Sequence, residues 1–350
     1  MRRTLIIASF SALIASIGLA DAVRTAEAAD KVSIGVVNSS SDVGLFIADA
    51  KGYFKEENIE ASFNTFDSAA KMIAPLAAGQ LDVGGGAASS GLYNAVERGL
   101  NIKIVADKAR NAPGYGFQAL LVRKALVDDG SVKTIGDLKG RKVAIVAAAS
   151  SDASVLNTAM NSAGLKFDDV KTTYLGFPQH CVAFQNGAID ASITTEPTVS
   201  QCVRLGVAAR LTGNDAFYPN AQTAVILYSG AFPAARPDVA KRFMRAYVRA
   251  LRDYVDSLKE GHIAGKGADD IVAILTRYSG VKDAGIVRGM VAHSSNPDGL
   301  PNVDSLKKDW AFFHAQSQVS GGVTVDQVVD LSFVQAAVKE LGPHVPVAGR

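Results

Sequence analysis

Two stretches of the chain run through the same change from apolar to polar. Lys31 to Asp42 reads KVSIGVVNSSSD and Arg141 to Asp152 reads RKVAIVAAASSD, each an apolar run that ends in small polar residues and then Ser-Asp. A short continuous apolar run bounded by turn residues is the signature of a buried strand, so strands are predicted over Val32–Val37 and Val143–Ala147. The match continues: NIEASFNTF (58–66) lies over DVKTTYLGF (169–177), and AAGQLDVGG (77–85) over QNGAIDASI (185–193). Val32 and Val143 are 111 positions apart, as are Ile59 and Val170, and Phe66 and Phe177; Asp82 and Asp190 are 108 apart. An offset held through three elements indicates one design used twice, in the order strand, polar loop, helix, strand, loop, helix, strand, loop. The helices after the first strands are predicted over Val43–Phe54 and Ala153–Gly164, each N-capped by Ser or Asp.

Two units of alternating strand and helix imply an α/β fold of two lobes, each a parallel or mixed sheet flanked by helices. Further apolar runs at Ile102–Val105, Phe117–Lys124 and Thr223–Ser229 are predicted strands. Beyond them Val239, Phe243, Tyr247, Leu251, Tyr254 and Leu258 share one helical face. More helices are expected around Ile271–Tyr278, Ala284–Ala292, Val303–Gln316 and Val325–Leu341. The expected division is lobe one from 30–118 and 225–350, lobe two from 119–224, with two crossing strands as the hinge.

Composition narrows the function. Residues 1–29 combine Arg2 and Arg3, an apolar run from Leu5 to Ala20, and A-x-A at Ala26–Ala28, the pattern of a cleaved export signal ending near Ala28 or Ala29. The expected location is the periplasm, with no direct membrane insertion. The formal net charge is only +2, which provides no general grip on nucleic acid. Cys181 and Cys202 are the only two cysteines. In an oxidising compartment they are either bridged or two buried thiols.

In open parallel sheets ligands bind outside the carboxyl ends of the strands. That rule selects Asn38–Asp42, Asp67-Ser68 and Gly84–Ser90 in lobe one. In lobe two it selects Ala148–Asp152, Phe177–Gln179 and Thr194–Glu196. The GGGAASS run (84–90) is expected to be the loop after the third strand, with Ser89 and Ser90 at a helix N-terminus. It follows the wrong strand for a dinucleotide fingerprint and lacks the Gly-Lys-Ser/Thr of a P-loop. Ser41-Asp42 and Ser151-Asp152 read as helix caps or as ligand-facing residues. Glu196 can receive a ligand amine or can favour the start of the helix opened by Pro197. Phe177 and Tyr218 can stack on a ring or fill the core. Arg110 and Tyr115 reach the cleft or lie at the surface. Ser68 to Lys71 fits S-x-x-K without its companion motifs, and the five histidines have no ligand spacing. No catalytic set, metal or cofactor is expected.

GLFIADAKGYFKEENIEASF (44–63), APLAAGQLDVGGG (74–86), DLKGRKVAIV (137–146) and FQNGAIDASITTEP (184–197) resemble the periplasmic substrate-binding proteins of ABC importers, of the nitrate, sulfonate, taurine and thiamine-precursor group. The resemblance covers about residues 31–340. It implies a type II periplasmic binding protein fold, closure about a hinge, and delivery of a small-molecule ligand to a membrane permease with its cytoplasmic ATPase, the protein itself acting as a monomer. Carried over by position, the ligand set is Asn38, Ser40, Ser41, Asp42, Asp67, Ser68, Ser89, Ser90, Ser150, Ser151, Phe177, Gln179 and Glu196; Tyr218 joins it from the residue reading. Relatives often carry Pro shortly before the position of Leu45, and Gly-Ser or a similar pair at Asp67-Ser68, so the ligand cannot be borrowed from them. Serine-rich loops favour an oxyanion, expected to be an organic or aromatic carboxylate or a sulfonate. Enzymes of pyrimidine-precursor and menaquinone synthesis resemble the same fold, and a ligand-sensing partner of a membrane receptor would share the binding step.

Overall fold

The computed structural model describes residues 28–346. The export segment expected over 1–29 therefore lies outside the described residues, apart from its last two positions. Ten strands build two five-stranded sheets. The first sheet holds β1 (Asp30–Val36), β2 (Ile59–Thr65), β3 (Val83–Gly86), β4 (Ile102–Asn111) and, from much later in the chain, β10 (Ala221–Ser229). The second holds β5 (Gln118–Arg123), β6 (Lys142–Ile145), β7 (Lys171–Tyr174), β8 (Ala191–Thr195) and β9 (Ala208–Gly213). Their strand orders, β2-β1-β3-β10-β4 and β7-β6-β8-β5-β9, have the same plan. Three parallel strands come first, then one strand running against them, then an outer strand.

The duplication predicted from the repeat is therefore present strand for strand. The two inverted strands are exchanged in chain order. β5 is the first strand of its lobe, whereas β10 is the last strand of its own. The chain passes from the first sheet to the second between Asn111 and Gln118, and returns between Gly213 and Ala221. A third connection lies beside these two: Arg110 pairs with Ser294 and Gly116 with His293 as isolated bridges.

Two local expectations change. The helix predicted over Val43–Phe54 is a helix Val43–Ala50 followed by a short one, Tyr53–Glu56, because Gly52 takes φ 78° and turns the chain between them. The helix expected around Val325–Leu341 is likewise two, Val325–Val328 and Ser332–Leu341. The face predicted for the long C-terminal helix is observed. Helix Pro237–Asp256 buries Val239, Phe243, Tyr247, Leu251 and Tyr254 against the first lobe, while Leu258 lies past its end. Helix Val303–Ala315 packs on helix Ser151–Ser162 of the second lobe, so one apolar cluster runs from Ile104 and Leu92 through Phe313 to Leu156 and Ile145.

Cys181 and Cys202 form a disulfide that links helix His180–Gln185 to helix Thr198–Arg204, with Cα atoms 5.0 Å apart. No helix among the described residues is long and apolar enough to cross a membrane.

Candidate functional site

The glycines of the GGGAASS run are strand residues rather than loop residues. Gly84, Gly85 and Gly86 all belong to β3. A Cβ on Gly86 would stand 2.7 Å from the Cβ of Ala69, and one on Gly85 would stand 3.0 Å from Cε of Lys108. Bare backbone is needed here because side chains from neighbouring segments press onto the strand. The loop proper starts at Ala87 and leads to Ser89, the N-cap of helix Ser90–Glu97.

That helix start meets its counterpart in the other lobe. Ser89 pairs with Ser150, the N-cap of helix Ser151–Ser162. The Ser90 amide donates to the Ala149 carbonyl (2.8 Å), and the Ser151 amide donates to the Ala88 carbonyl (3.0 Å). Nearby, the Ser40 amide donates to the Glu196 carbonyl (2.9 Å), and the Ser39 hydroxyl donates to Thr195 Oγ1 (3.2 Å). The Ser151 hydroxyl donates to the Thr223 carbonyl (3.4 Å). At about 1 kcal/mol for each net hydrogen bond, these bonds add a few kcal/mol to the apolar contact between the lobes.

Beneath this seam lies a cavity of about 30 Å³ at the carboxyl ends of both sheets. That is room for a water or two and too little for an organic solute, so the conformation is closed. Ser39, Ser41, Ser68 and Thr223 line it from lobe one, Thr195 and Phe177 from lobe two, and Phe117 from the segment between the sheets. Gln118 and Asp152 complete its polar wall.

Two aspartates hold matching places in the repeat and have different surroundings. Asp42 Oδ2 accepts from the Val37 amide (3.2 Å) and the Ser39 amide (3.1 Å). Its Oδ1 lies 2.7 Å from Nζ of Lys108, an ion contact not aligned as a hydrogen bond, and neither side chain has any exposure. Lys108 also donates to Ser41 Oγ at 3.0 Å. Asp152 Oδ1 accepts from Gln118 Nε2 at 2.5 Å, while Asp152 Oδ2 and Gln118 Oε1 are buried without a partner. Burial pushes the Asp152 carboxyl from its usual range up to about 7, only partly opposed by Gln118 and the Val146 amide. Asp309, on helix Val303–Ala315 packed against helix Ser151–Ser162, is also pushed up to about 7 by burial.

The predicted site residues divide into three groups. Ser41, Ser68 and Phe177 line the cavity. Ser40, Ser89, Ser90, Ser150 and Ser151 form the seam between the lobes, buried to within a few per cent, and the hydroxyls of Ser40 and Ser89 have no partner. Asp42 supports the cavity wall from behind through Lys108. The others turn elsewhere. Asn38 takes φ 56° in the turn that leads to the seam. Asp67 is exposed and pairs with Lys71, and Gln179 is exposed.

Glu196 is buried, but its carboxylate accepts from the Ser200 amide (2.9 Å) and hydroxyl (3.0 Å) and from the Val291 amide (3.3 Å). Burial raises its pKa. Tyr218 lies in the core with its hydroxyl toward Ser305 and Asp309 (3.2 Å). Arg110 is half-buried near the third connection, and Tyr115 packs against the first core. Sequence reasoning left out Gln118, Lys108 and Thr223. The charged pair Asp107-Lys108 amid the apolar positions of β4 and the glutamine opening the apolar β5 were the available signals.

Comparison with known proteins agrees with this architecture. A family model described as NMT1/THI5 like matches residues 40–258. The taurine-binding periplasmic protein of Escherichia coli (strain K12) is 25% identical over 271 residues, covering 75% of this chain and 78% of that one. An E. coli protein described as aliphatic sulfonates-binding is 38% identical over 81 residues, and that match spans only 25% of the relative's length. The periplasmic nitrate-binding protein NrtA of Synechocystis PCC 6803 superposes with a TM-score of 0.75 at 14% identity, over 90% of this chain and 89% of that one. The desulfurization enzyme DSZB superposes with a TM-score of 0.61 at 14% identity, over 89% and 99%. The fold is the type II periplasmic binding protein fold, and enzymes share it.

Proposed function

The chain belongs to the NMT1/THI5-like family of ABC-importer substrate-binding proteins, and from that premise we propose that it captures one small organic acid between its lobes and presents the closed complex to a membrane permease driven by a cytoplasmic ATPase. The ligand class is a sulfonate or carboxylate. The observation that carries this reading is the closed cavity at the carboxyl ends of two matching sheets, walled by hydroxyls and two aromatic rings and sealed by hydrogen bonds between lobes. Helix Ser90–Glu97 and helix Ser151–Ser162 both start at the seam, and helix N-termini favour negative charge.

The lobes are the two sheets with their helices, and the hinge is the pair of segments 112–117 and 214–220. Opening breaks the seam bonds and admits ligand. Closure over a ligand leaves the lobes further apart than the 30 Å³ cavity does and adds ligand contacts to both, which shifts the population toward the form the permease reads. Residence is in the periplasm, after removal of the leading segment, and the working unit is a monomer.

A second reading, an enzyme on this fold, is favoured by the likeness to DSZB. Both cysteines of this chain are joined to each other, which leaves no thiol as a nucleophile. Calorimetric titration with a panel of short sulfonates and carboxylates tests the proposal. Saturable one-to-one binding with the acid recovered unchanged is expected; conversion of a bound acid to product, or no binding across the panel, would overturn it.

A further inference from the structure

The cavity has no lysine, arginine or histidine in its wall. Lys108 is the only lysine or arginine fully buried among the described residues, and it stops one hydroxyl short of the cavity. Its stem crosses from β4 toward β3, where a Cβ on Gly85 would stand 3.0 Å from its Cε and 3.3 Å from its Cδ. The bare backbone of Gly85 leaves room for that stem. The ammonium then lies 2.7 Å from Asp42 Oδ1 and donates to Ser41 Oγ at 3.0 Å. Asp42 is itself fixed by the Val37 and Ser39 amides, so the lysine is held from three sides.

The lysine sets what Ser41 can do. An ammonium only donates, so the serine oxygen must accept from it and keeps its own proton for something else. Among the described residues no protein acceptor takes that proton, and Ser41 lines the cavity. Other hydroxyls of the wall are already committed. Ser39 donates to Thr195 Oγ1 (3.2 Å), and Thr223 donates to the Ala109 carbonyl (2.8 Å). Accepting from a cation also polarises the Ser41 O–H bond and makes it a stronger donor. Asp42 balances the lysine's charge, so the effect is one of direction and polarisation rather than of net charge.

We propose that Lys108 is a positioning residue for the ligand's anionic group: it holds Ser41 as a dedicated donor into the cavity, and this donor separates an acid from an uncharged molecule of the same shape. The inference rests on the reading of the cavity as an organic-acid site. The acid's oxygen accepts from Ser41 in a charge-assisted bond, whereas the neutral amide of the same acid offers a weaker acceptor at the same place. The lysine never touches the ligand, so release breaks a hydrogen bond and leaves the buried ion pair with Asp42 intact.

The test uses paired probes on the whole protein, stripped of bound solute by unfolding and refolding: ethanesulfonate against ethanesulfonamide, and propanoate against propanamide, each by calorimetry at pH 6, where Asp152 holds its proton. The acid should bind about tenfold more tightly than its amide in each pair that binds. In Ser41→Ala the ratio should fall to within about threefold. Lys108→Met combined with Asp42→Asn removes one charge of each sign, and it should lower the ratio in the same direction. Adding Ser41→Ala to that pair should lower it no further, because the lysine acts through the serine. A merely structural role for Lys108 would weaken acid and amide together and leave the ratio in place. A ratio that survives the Lys108–Asp42 variant, or one that the Ser41 change lowers by the same factor with and without the lysine, overturns this inference and leaves the organic-acid reading intact. Binding of neither acid, or of acid and amide alike, removes the reading beneath it, and the inference with it.

Discussion

The two lobes differ most where the repeat makes them most comparable. Each begins with a buried strand, a serine-rich turn and an aspartate at the head of a helix. In lobe one the aspartate is held by two backbone amides and a buried lysine, so its charge is settled within the protein. In lobe two it is held by Gln118 and the Val146 amide, has no cation beside it, and is pushed up by burial to about 7. A duplicated element can thus keep its backbone geometry while one copy gains a buried cation and the other has none. The difference lies in the partner strands: β4 brings Lys108 to the first copy, and β5 brings Gln118 to the second.

Removing the lysine tests the comparison hardest. Lys108→Met leaves Asp42 buried without its cation, and breaking a buried pair from one side costs about 3–5 kcal/mol. Urea unfolding should show that loss, and Lys108→Met combined with Asp42→Asn should recover much of it. A single variant as stable as wild type would mean that Asp42 does not depend on its lysine.

Next comes the unpaired copy. Unfolded, an aspartate loses its proton near 3.8, and folded Asp152 holds its proton up to about 7. Between those values unfolding releases a proton, so this carboxyl's contribution to stability falls as pH rises from about 4 to about 7 and stays at its lower level above that. Asp152→Asn should match wild type near pH 4 and exceed it at pH 8, by up to about 4 kcal/mol. Thermal melts across this range read the effect directly. Part of the wild-type decline should survive the change, because Asp309 and Asp107 are also pushed up by burial, to about 7 and about 6. Identical pH profiles for the two proteins would remove the contrast between the copies.

A smaller effect separates the lobes by covalent means. Only lobe two carries the disulfide, which closes a loop of 21 residues. Constraining an unfolded loop of that size is worth about 3 kcal/mol. Cys181→Ala with Cys202→Ala should lower the free energy of unfolding by that amount in urea titration, while a change in lobe one such as Lys108→Met should add to it independently.

Much of this was legible beforehand, for a physical reason. Strand-and-helix alternation is a local property, so the repeat, the three parallel strands of each lobe and the position of the cleft could be read from spacing alone. β9 was missed because AARLTG is mostly half-buried and has neither a clear alternation nor a long apolar run. The break at Gly52 was missed because Val43 to Phe54 keeps helical periodicity through it. The site was less legible than the fold. Ser41, Ser68 and Phe177 could be placed at strand ends, but Lys108 reaches Asp42 across 66 positions of sequence, and Gln118 reaches Asp152 from the strand that enters lobe two. Glu196 faces Ser200 and Val291 because the chain following it folds back over its carboxylate, which no spacing rule reports.

The claim beneath all of this is that the lobes open and shut over a solute. Lys71 and Tyr174 are exposed on facing rims of the seam, near the approach of Asp67 to Gly176. Spin labels on Lys71→Cys and Tyr174→Cys, read by pulsed electron resonance, report the gap directly. The stripped protein should show a long or broad distance distribution, which collapses to a single short one with saturating 2-aminoethanesulfonate and ethanesulfonate. One short distance under every condition, in protein that calorimetry shows to bind either acid, would contradict the account.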